Sequence, residues 1–199
     1  MNIGNIGFIG YGEVGKIFSA GLKAQRGVES ASAWDIKFID PAIGHSQRTH
    51  AGNSGIVAQP SMQALCAQSD LIISAVTASN TLAVAQEAAP HVRPGTWFLD
   101  LNSASPGTKQ RAASAIDAAG GHYVEAGVMT SVPPYGIKVP MLLGGAMAIE
   151  LASVLQGWGM DAKVVSDRLG VASAIKMSRS VMIKGLEALV IESYATARR

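Results

Sequence analysis

Three groups of residues in this chain have the types and spacing to do chemistry. The first is Gly10-Tyr11-Gly12-Glu13-Val14-Gly15, a GxGxxG that directly follows the apolar run Asn5 to Ile9 and opens a helical pattern. Such a loop suits a dinucleotide because its first glycine permits a tight turn and its second lets the backbone approach a pyrophosphate. The third glycine lets helix and strand pack closely. The helix N-terminus adds free N–H groups and a partial positive charge. Gly10, Tyr11, Gly12, Glu13, Val14 and Gly15 are therefore expected cofactor contacts. Asp35 follows Gly15 by 20 residues, at the end of a second strand pattern, Ala33-Trp34-Asp35. A carboxylate there accepts hydrogen bonds from the adenosine ribose hydroxyls and repels a 2′-phosphate, which favours NAD over NADP. Lys37, two residues on, softens that preference. The plainer alternative is a glycine-rich turn without a ligand, with Asp35 merely closing a strand.

The second group ends two later strand patterns: Val76-Thr77, and Leu101-Asn102-Ser103. Ligands in open α/β sheets bind beyond the carboxyl ends of the strands, so Val76, Thr77 and Asn102 are cofactor candidates and Asn102 and Ser103 substrate candidates. Ser103 or Ser105, just before Pro106, fits an ordinary helix cap equally well. The third group is Lys176, Arg179 and Ser180, spaced i, i+3 and i+4 and so projecting from one helix face. Two cations beside a hydroxyl suit the binding of a small anion and the transfer of a proton. A lysine ordinarily titrates near ~10.4, and desolvation or a neighbouring cation lowers that value. Arg179 can supply the repulsion, or hold a carboxylate in a bidentate fork. The same spacing also describes a solvated helix face.

The elements needed to position these groups are legible as alternating patterns. Beyond the first two strands, Ile56 to Ala58, Leu71 to Val76, Thr96 to Leu101, His122 to Ala126, Pro140 to Leu143 and Lys163 to Val165 read as strands. Glu13 to Lys23, Ser61 to Gln68 (capped by Ser61), Leu82 to Ala89, Pro106 to Ala119 and Ala146 to Gly157 read as helices. The stretch from Ile36 to Gly55 is polar and punctuated, and reads mostly as loop with room for one short helix. Strands alternating with helices predict an α/β fold: a Rossmann-type, doubly wound, mostly parallel sheet over residues 1–165. Residues 166–199 then begin an all-α C-terminal domain, because Val171 to Ala197 reads as one uninterrupted helix with Gly185 its weak point. A helix of that length with a second apolar face uncovered predicts either a piece of a longer protein or a partner lying on it.

Composition narrows the classes. Hydrophobic residues make up 48% and charged residues 15% of 199, which describes a core-rich globular chain. A formal charge of +2 without a basic run gives no footprint for nucleic acid. No apolar run approaches the ~18 residues of a membrane span, and the N-terminus lacks the pattern of a signal peptide. A single cysteine, Cys66, fits a reducing cytoplasm and reads as a half-buried structural thiol. The histidines His45, His50, His91 and His122 show no metal-ligand spacing, so no metal is expected. Met129 and Met141 fit core packing, or the lining of an apolar pocket.

With these residues placed, the chain resembles the β-hydroxyacid dehydrogenases, the family of 3-hydroxyisobutyrate and 6-phosphogluconate dehydrogenases. Phe8 to Gly15 is similar to that family's cofactor fingerprint. Asp100-Leu101-Asn102-Ser103 with Pro106 resembles its strand-end motif, and Gly170 with Lys176 and a polar residue at 180 resembles its catalytic helix. The resemblance implies an NAD(P)-dependent oxidoreductase acting on a small hydroxy acid or related carbonyl compound, with Lys176 as general acid/base. Asn102, Ser103, Thr130, Ser131, Arg179 and Ser180 would then bind substrate, and a homodimer would form through the helical region. Two departures stand out: Met129-Thr130-Ser131 replaces the usual Ser-Gly-Gly after Glu125-Ala126-Gly127-Val128, and Ser180 replaces an asparagine. They resemble a branch of NAD-binding 6-phosphogluconate-dehydrogenase-like proteins and leave the substrate open. A non-catalytic NAD-binding module and an imine-type reductase are the alternatives on the same scaffold.

Overall fold

The computed structural model describes residues 3–198, so Met1, Asn2 and Arg199 at the ends of the two expected domains lie outside the described residues. The chain runs β1 (Asn5–Ile9), α1 (Glu13–Lys23), β2 (Ser30–Trp34), α2 (Gly44–Asn53), β3 (Val57–Ala58), α3 (Met62–Gln68) and β4 (Leu71–Ser74). It continues α4 (Thr81–Ala88), β5 (Trp97–Asp100), α5 (Pro106–Ala118), β6 (His122–Val128), β7 (Met141–Gly144), α6 (Ala148–Gly157), β8 (Ala162–Ser166) and α7 (Val171–Ala197). The strands form one sheet in the order β3-β2-β1-β4-β5-β6-β7-β8. All neighbours are parallel except β6 and β7, which pair antiparallel from Glu125 opposite Gly144 to Val128 opposite Met141. The connection fits this: a loop and a short 3₁₀ turn join β6 to β7, without the helix that usually carries a parallel crossover.

Strands β4 and β5 are buried at every position, which is the signature of strands covered by helices on both faces. Strand order reverses between β1 and β4, so the carboxyl ends of these strands frame the crevice where ligands settle in such sheets. Caps fix two helix starts: Ser61 Oγ accepts from Ala64 N at 3.1 Å and Ser105 Oγ from Thr108 N at 3.3 Å. Pro106 occupies the first turn of α5, where its missing N–H costs nothing.

Two sequence expectations are adjusted. The segment read mostly as loop with room for one short helix does hold one helix, the ten-residue α2, together with a 3₁₀ turn, Ile36–Phe38. Only Gly44 and Ala51 of α2 are buried, so no apolar period announced it. Cys66 is fully buried rather than half-buried, and burial with the nearby Glu87 carboxylate pushes its thiol up to about 12, which leaves it inert.

Helix α7 forms over its whole expected length, and Gly185 does not interrupt it. Its start is anchored from another element. Glu125, fully buried on β6, accepts Gly170 N at 2.7 Å and Ala172 N at 3.0 Å through Oε1, and the Ser173 hydroxyl at 2.8 Å through Oε2. A carboxylate from β6 thus supplies the N-terminal cap that Gly170 cannot. The approach requires glycine on the next strand: a Cβ on Gly144 would stand 2.7 Å from Glu125 Oε1. Beyond this anchor, Val181, Met182, Leu186, Leu189, Val190, Ile191 and Tyr194 are each 61–71% exposed. Replacing Glu125 by alanine strands two buried N–H groups and a hydroxyl, and is expected to cost about 2–4 kcal/mol. A urea midpoint for Glu125→Ala equal to that of the unmodified protein would contradict this assignment.

Candidate functional site

Two cavities open at the carboxyl ends of β1, β4 and β5, on either side of the glycine loop. One, of about 350 Å³, is lined by Gly10, Gly12, Trp34, Asp35, Lys37, Met62, Thr77 and Val84 among others. The other, of about 360 Å³, is lined by Leu101, Asn102, Ser103, Val128, Thr130, Ser131, Val132 and Lys176. Glu13, Val14, Ala75 and Val76 belong to both walls, so the cavities adjoin.

The loop between them fits a dinucleotide on its own geometry. Gly10 adopts φ +96°, and a Cβ on it would lie 2.4 Å from Ala75 O. A Cβ on Gly15 would lie 2.0 Å from Gly10 O, so the helix packs against the loop only because that residue is glycine. Gly12 is different: a Cβ there would meet nothing within 4 Å. The fold does not demand glycine at 12, and the open space there suits the close approach of a ligand. Asp35 is clamped in place, its Oδ2 accepting Tyr11 N at 2.6 Å and its Oδ1 accepting Lys37 N at 2.8 Å. The carboxylate therefore bridges the glycine loop and the turn after β2, at the wall of the first cavity.

Tyr11 contributes only its backbone there. Its side chain is buried, its ring packs on Phe38 at 5.5 Å between centroids, and its hydroxyl meets His50 Nδ1 at 3.2 Å. The tyrosine thus fills the space between the loop and α2, and its side chain is not among the cavity walls.

In the second cavity Lys176 Nζ donates to Ser103 Oγ at 2.6 Å, joining α7 to the loop after β5. Burial lowers the Lys176 ammonium to about 8, helped by the Lys109 ammonium and opposed by the Asp100 carboxylate. Asn102 is held at both ends of its amide: Oδ1 accepts Val76 N at 2.7 Å and Nδ2 donates to Ser74 Oγ at 2.9 Å. It ties the ends of β4 and β5 together at the crevice. Thr130 and Ser131 supply hydroxyls from the loop after β6.

Arg179 and Ser180 do not join them. The exposed Arg179 guanidinium donates to the Met129 carbonyl, and neither residue lines the cavity. Residues three and four beyond Lys176 share its side of α7, but they stand one turn farther from the strand ends. Sequence reasoning also missed the layer beneath. Lys109 lies fully buried on α5, with Nζ 2.9 Å from Asp100 Oδ1 and 2.8 Å from Asp100 O. Asp100 in turn accepts Asn102 N at 2.8 Å and the Tyr123 hydroxyl. A usable signal existed: Lys109, Ala112, Ala113 and Ile116 fall on one helix face, and all four are buried.

A glycine-cradled crevice at the switch point of a doubly wound sheet defines a dinucleotide-binding domain of the Rossmann type. Residues 5–135 match the family described as the NAD binding domain of 6-phosphogluconate dehydrogenase, and the chain belongs to that family. It is 30% identical over 98% of its length to an uncharacterized 28.5 kDa protein of Methanothermus fervidus, of which it covers 71%. A conserved hypothetical protein from Sinorhizobium meliloti superposes with a TM-score of 0.86 at 42% identity. That match takes in 98% of this chain and 64% of the other, so this chain spans just under two thirds of its length. A conserved protein of unknown function, itself described as structurally similar to 3-hydroxyacid dehydrogenases, matches with a TM-score of 0.78 at 32% identity. There, 98% of this chain and 70% of the other are covered.

The two glycines make separable predictions. Gly12→Ala leaves the unfolding free energy within about 0.5 kcal/mol and weakens NADH binding at least about tenfold. Gly15→Ala instead destabilises the fold itself. Parallel thermal melts and NADH titrations check both, and equal affinity of Gly12→Ala and the unmodified protein would remove the loop from the binding site.

Proposed function

We propose that this chain is the cofactor-binding part of an NAD(P)-dependent oxidoreductase that acts on a small hydroxy acid or related carbonyl compound, with Lys176 as its general acid/base. The observation that carries the reading is the 2.6 Å contact of Lys176 with Ser103 in a cavity adjoining the glycine loop. A lysine brought to about 8 is close enough to neutrality to give and take a proton. The nicotinamide, when bound, accepts or donates the hydride. The protein's own part is to receive the hydroxyl proton on Lys176 Nζ as a carbonyl forms, and to return it in the opposite direction. Ser103, Asn102, Thr130 and Ser131 offer the hydroxyl and amide groups that orient a polar substrate. Lys176 takes the substrate hydroxyl, so a substrate carboxylate is best placed away from its Nζ, toward the hydroxyls of the Thr130–Ser131 loop.

Asp35, at the wall of the first cavity, supports a preference for NAD through its repulsion of a 2′-phosphate. Trp34 lines the same cavity and reports on it: NADH quenches its fluorescence with saturation, and NADPH binds about tenfold more weakly or worse. Equal affinities would assign Lys37, on the same wall, to the phosphate instead.

Lys176→Ala is expected to lower turnover by about 10²–10⁴-fold while leaving NADH affinity within about twofold. Oxidation needs the neutral amine, so its rate rises with pH through about 8 and then levels; reduction needs the ammonium and falls over the same range. Activity that survives in Lys176→Ala would refute the assignment. Turnover of cyclic imines with none of hydroxy acids would move the chain to C=N reduction on the same scaffold.

A further inference from the structure

The proposed chemistry leaves one buried charge pair unused, and it lies directly under the site. Lys109 and Asp100 are 0% and 1% exposed, on different elements, and meet at 2.9 Å. Neither lines either cavity. A buried ion pair of this kind rarely improves stability over apolar packing, because desolvation of both charges consumes the attraction. Its placement points to a different role. Asp100 is the last residue of β5, and the two residues that follow Leu101 are Asn102 and Ser103, the site's amide and the hydroxyl partner of Lys176. Asp100 Oδ1 accepts the Asn102 backbone N–H at 2.8 Å, and Lys109 Nζ also holds the Asp100 carbonyl at 2.8 Å. The pair therefore clamps the first turn of the loop that faces Lys176.

We propose that Lys109 is a positioning residue of the active site: as the permanent counter-ion of Asp100, it keeps that carboxylate from pairing with Lys176 and holds the Asn102–Ser103 loop in register with the cavity. This inference rests on the reading of Lys176 as the proton-transfer group. The charged groups near Lys176 are Asp100 and Lys109 from beneath, on β5 and α5, Glu13 across the cavity on α1, and Arg179 one turn along α7, whose guanidinium is held by the Met129 carbonyl. Around Lys109 stand Asp100 on β5 and Glu125 on β6, with the Tyr123 hydroxyl on Asp100. Glu125 is committed to the start of α7, and Tyr123 donates to Asp100. Asp100 is thus the carboxylate beneath the site that a missing Lys109 would leave without its cation. Left alone, it keeps its charge and draws the Lys176 ammonium, which it already favours, toward itself. The loop then loses its clamp, and Lys176 is held charged.

The test reads Lys176 without needing a substrate. Acetic anhydride labels neutral amines, and peptide mass spectrometry gives the labelling rate of Lys176 across pH about 6 to 10. In the unmodified protein the midpoint is expected near 8. In Lys109→Met, of similar length and without charge, the midpoint rises by about one unit or more. If Lys109→Met does not fold, Asp100→Asn serves: it keeps the lysine, removes the competing carboxylate, and moves the midpoint downward. A midpoint unchanged in whichever variant folds overturns the inference while leaving Lys176 as the base. An ordinary lysine midpoint in the unmodified protein removes the proposed function and the inference together.

Discussion

Burial of ionised groups where β5, β6, α5 and α7 converge is the constraint on which the rest of this structure depends. Asp100, Lys109 and Glu125 are each at most 1% exposed, and each charge is answered by a partner from a different segment. Arrangements of this kind add little net stability, but they penalise any alternative that separates the partners by about 3–5 kcal/mol. That penalty selects one arrangement of four elements. It sets the height of α7 against β6, the depth of α5 beneath β5, and the course of the chain from Asp100 to Ser103. The Lys176–Ser103 contact is the visible product, since its two residues are 73 apart in sequence and meet only where these anchors bring them together.

The cofactor side is governed by steric exclusion rather than charge. Gly10 and Gly15 let a helix begin almost on top of a strand end, and their absent side chains are required by the protein's own atoms. Gly12 faces open space, so the protein's own packing does not require glycine there. The three glycines of one motif thus divide into two that build the turn and one whose surroundings stay open. Asp35 belongs to both purposes: its carboxylate is fixed by backbone donors of the same loop, and it stands at the cavity wall.

The extent to which this was legible in the sequence follows from what kind of pattern each feature leaves. Parallel strands covered on both faces write continuous apolar runs, so Leu71 to Ser74 and Trp97 to Asp100 were readable, as was the glycine loop that follows β1. Helix α7 was readable to the residue, because propensity alone carries a stretch with no strong breaker. Helix α2 could be allowed for but not placed, being polar around nearly its whole circumference. The reversal of β7 was silent, since strand direction depends on how the intervening chain travels. At the site, Lys176, Ser103, Asn102, Thr130 and Ser131 do share one cavity, whereas helical spacing placed Arg179 and Ser180 correctly on the side of α7 without saying how far the cavity reaches. Tyr11 shows the converse: a motif names positions, and the side chain between two glycines is free to turn inward. The Asp100–Lys109 layer stayed hidden because composition records a lysine as surface unless its helical neighbours, here Ala112, Ala113 and Ile116, are weighed against it.

The cap on α7 has a mechanical consequence. Glu125 grips the helix at Gly170, Ala172 and Ser173, and Lys176 follows within one further turn. At about 1.5 Å per residue, the lysine stands roughly 8 Å from the helix start, and about 30 Å of helix extends past it. The element behaves as a beam clamped at one end, whose deflection grows with distance from the clamp. Lys176 occupies the stiff root, where bending of the far tip scarcely displaces it, so whatever packs against the outer turns can shift without disturbing the Lys176–Ser103 contact. Set near the tip, the same lysine would inherit every movement of the beam.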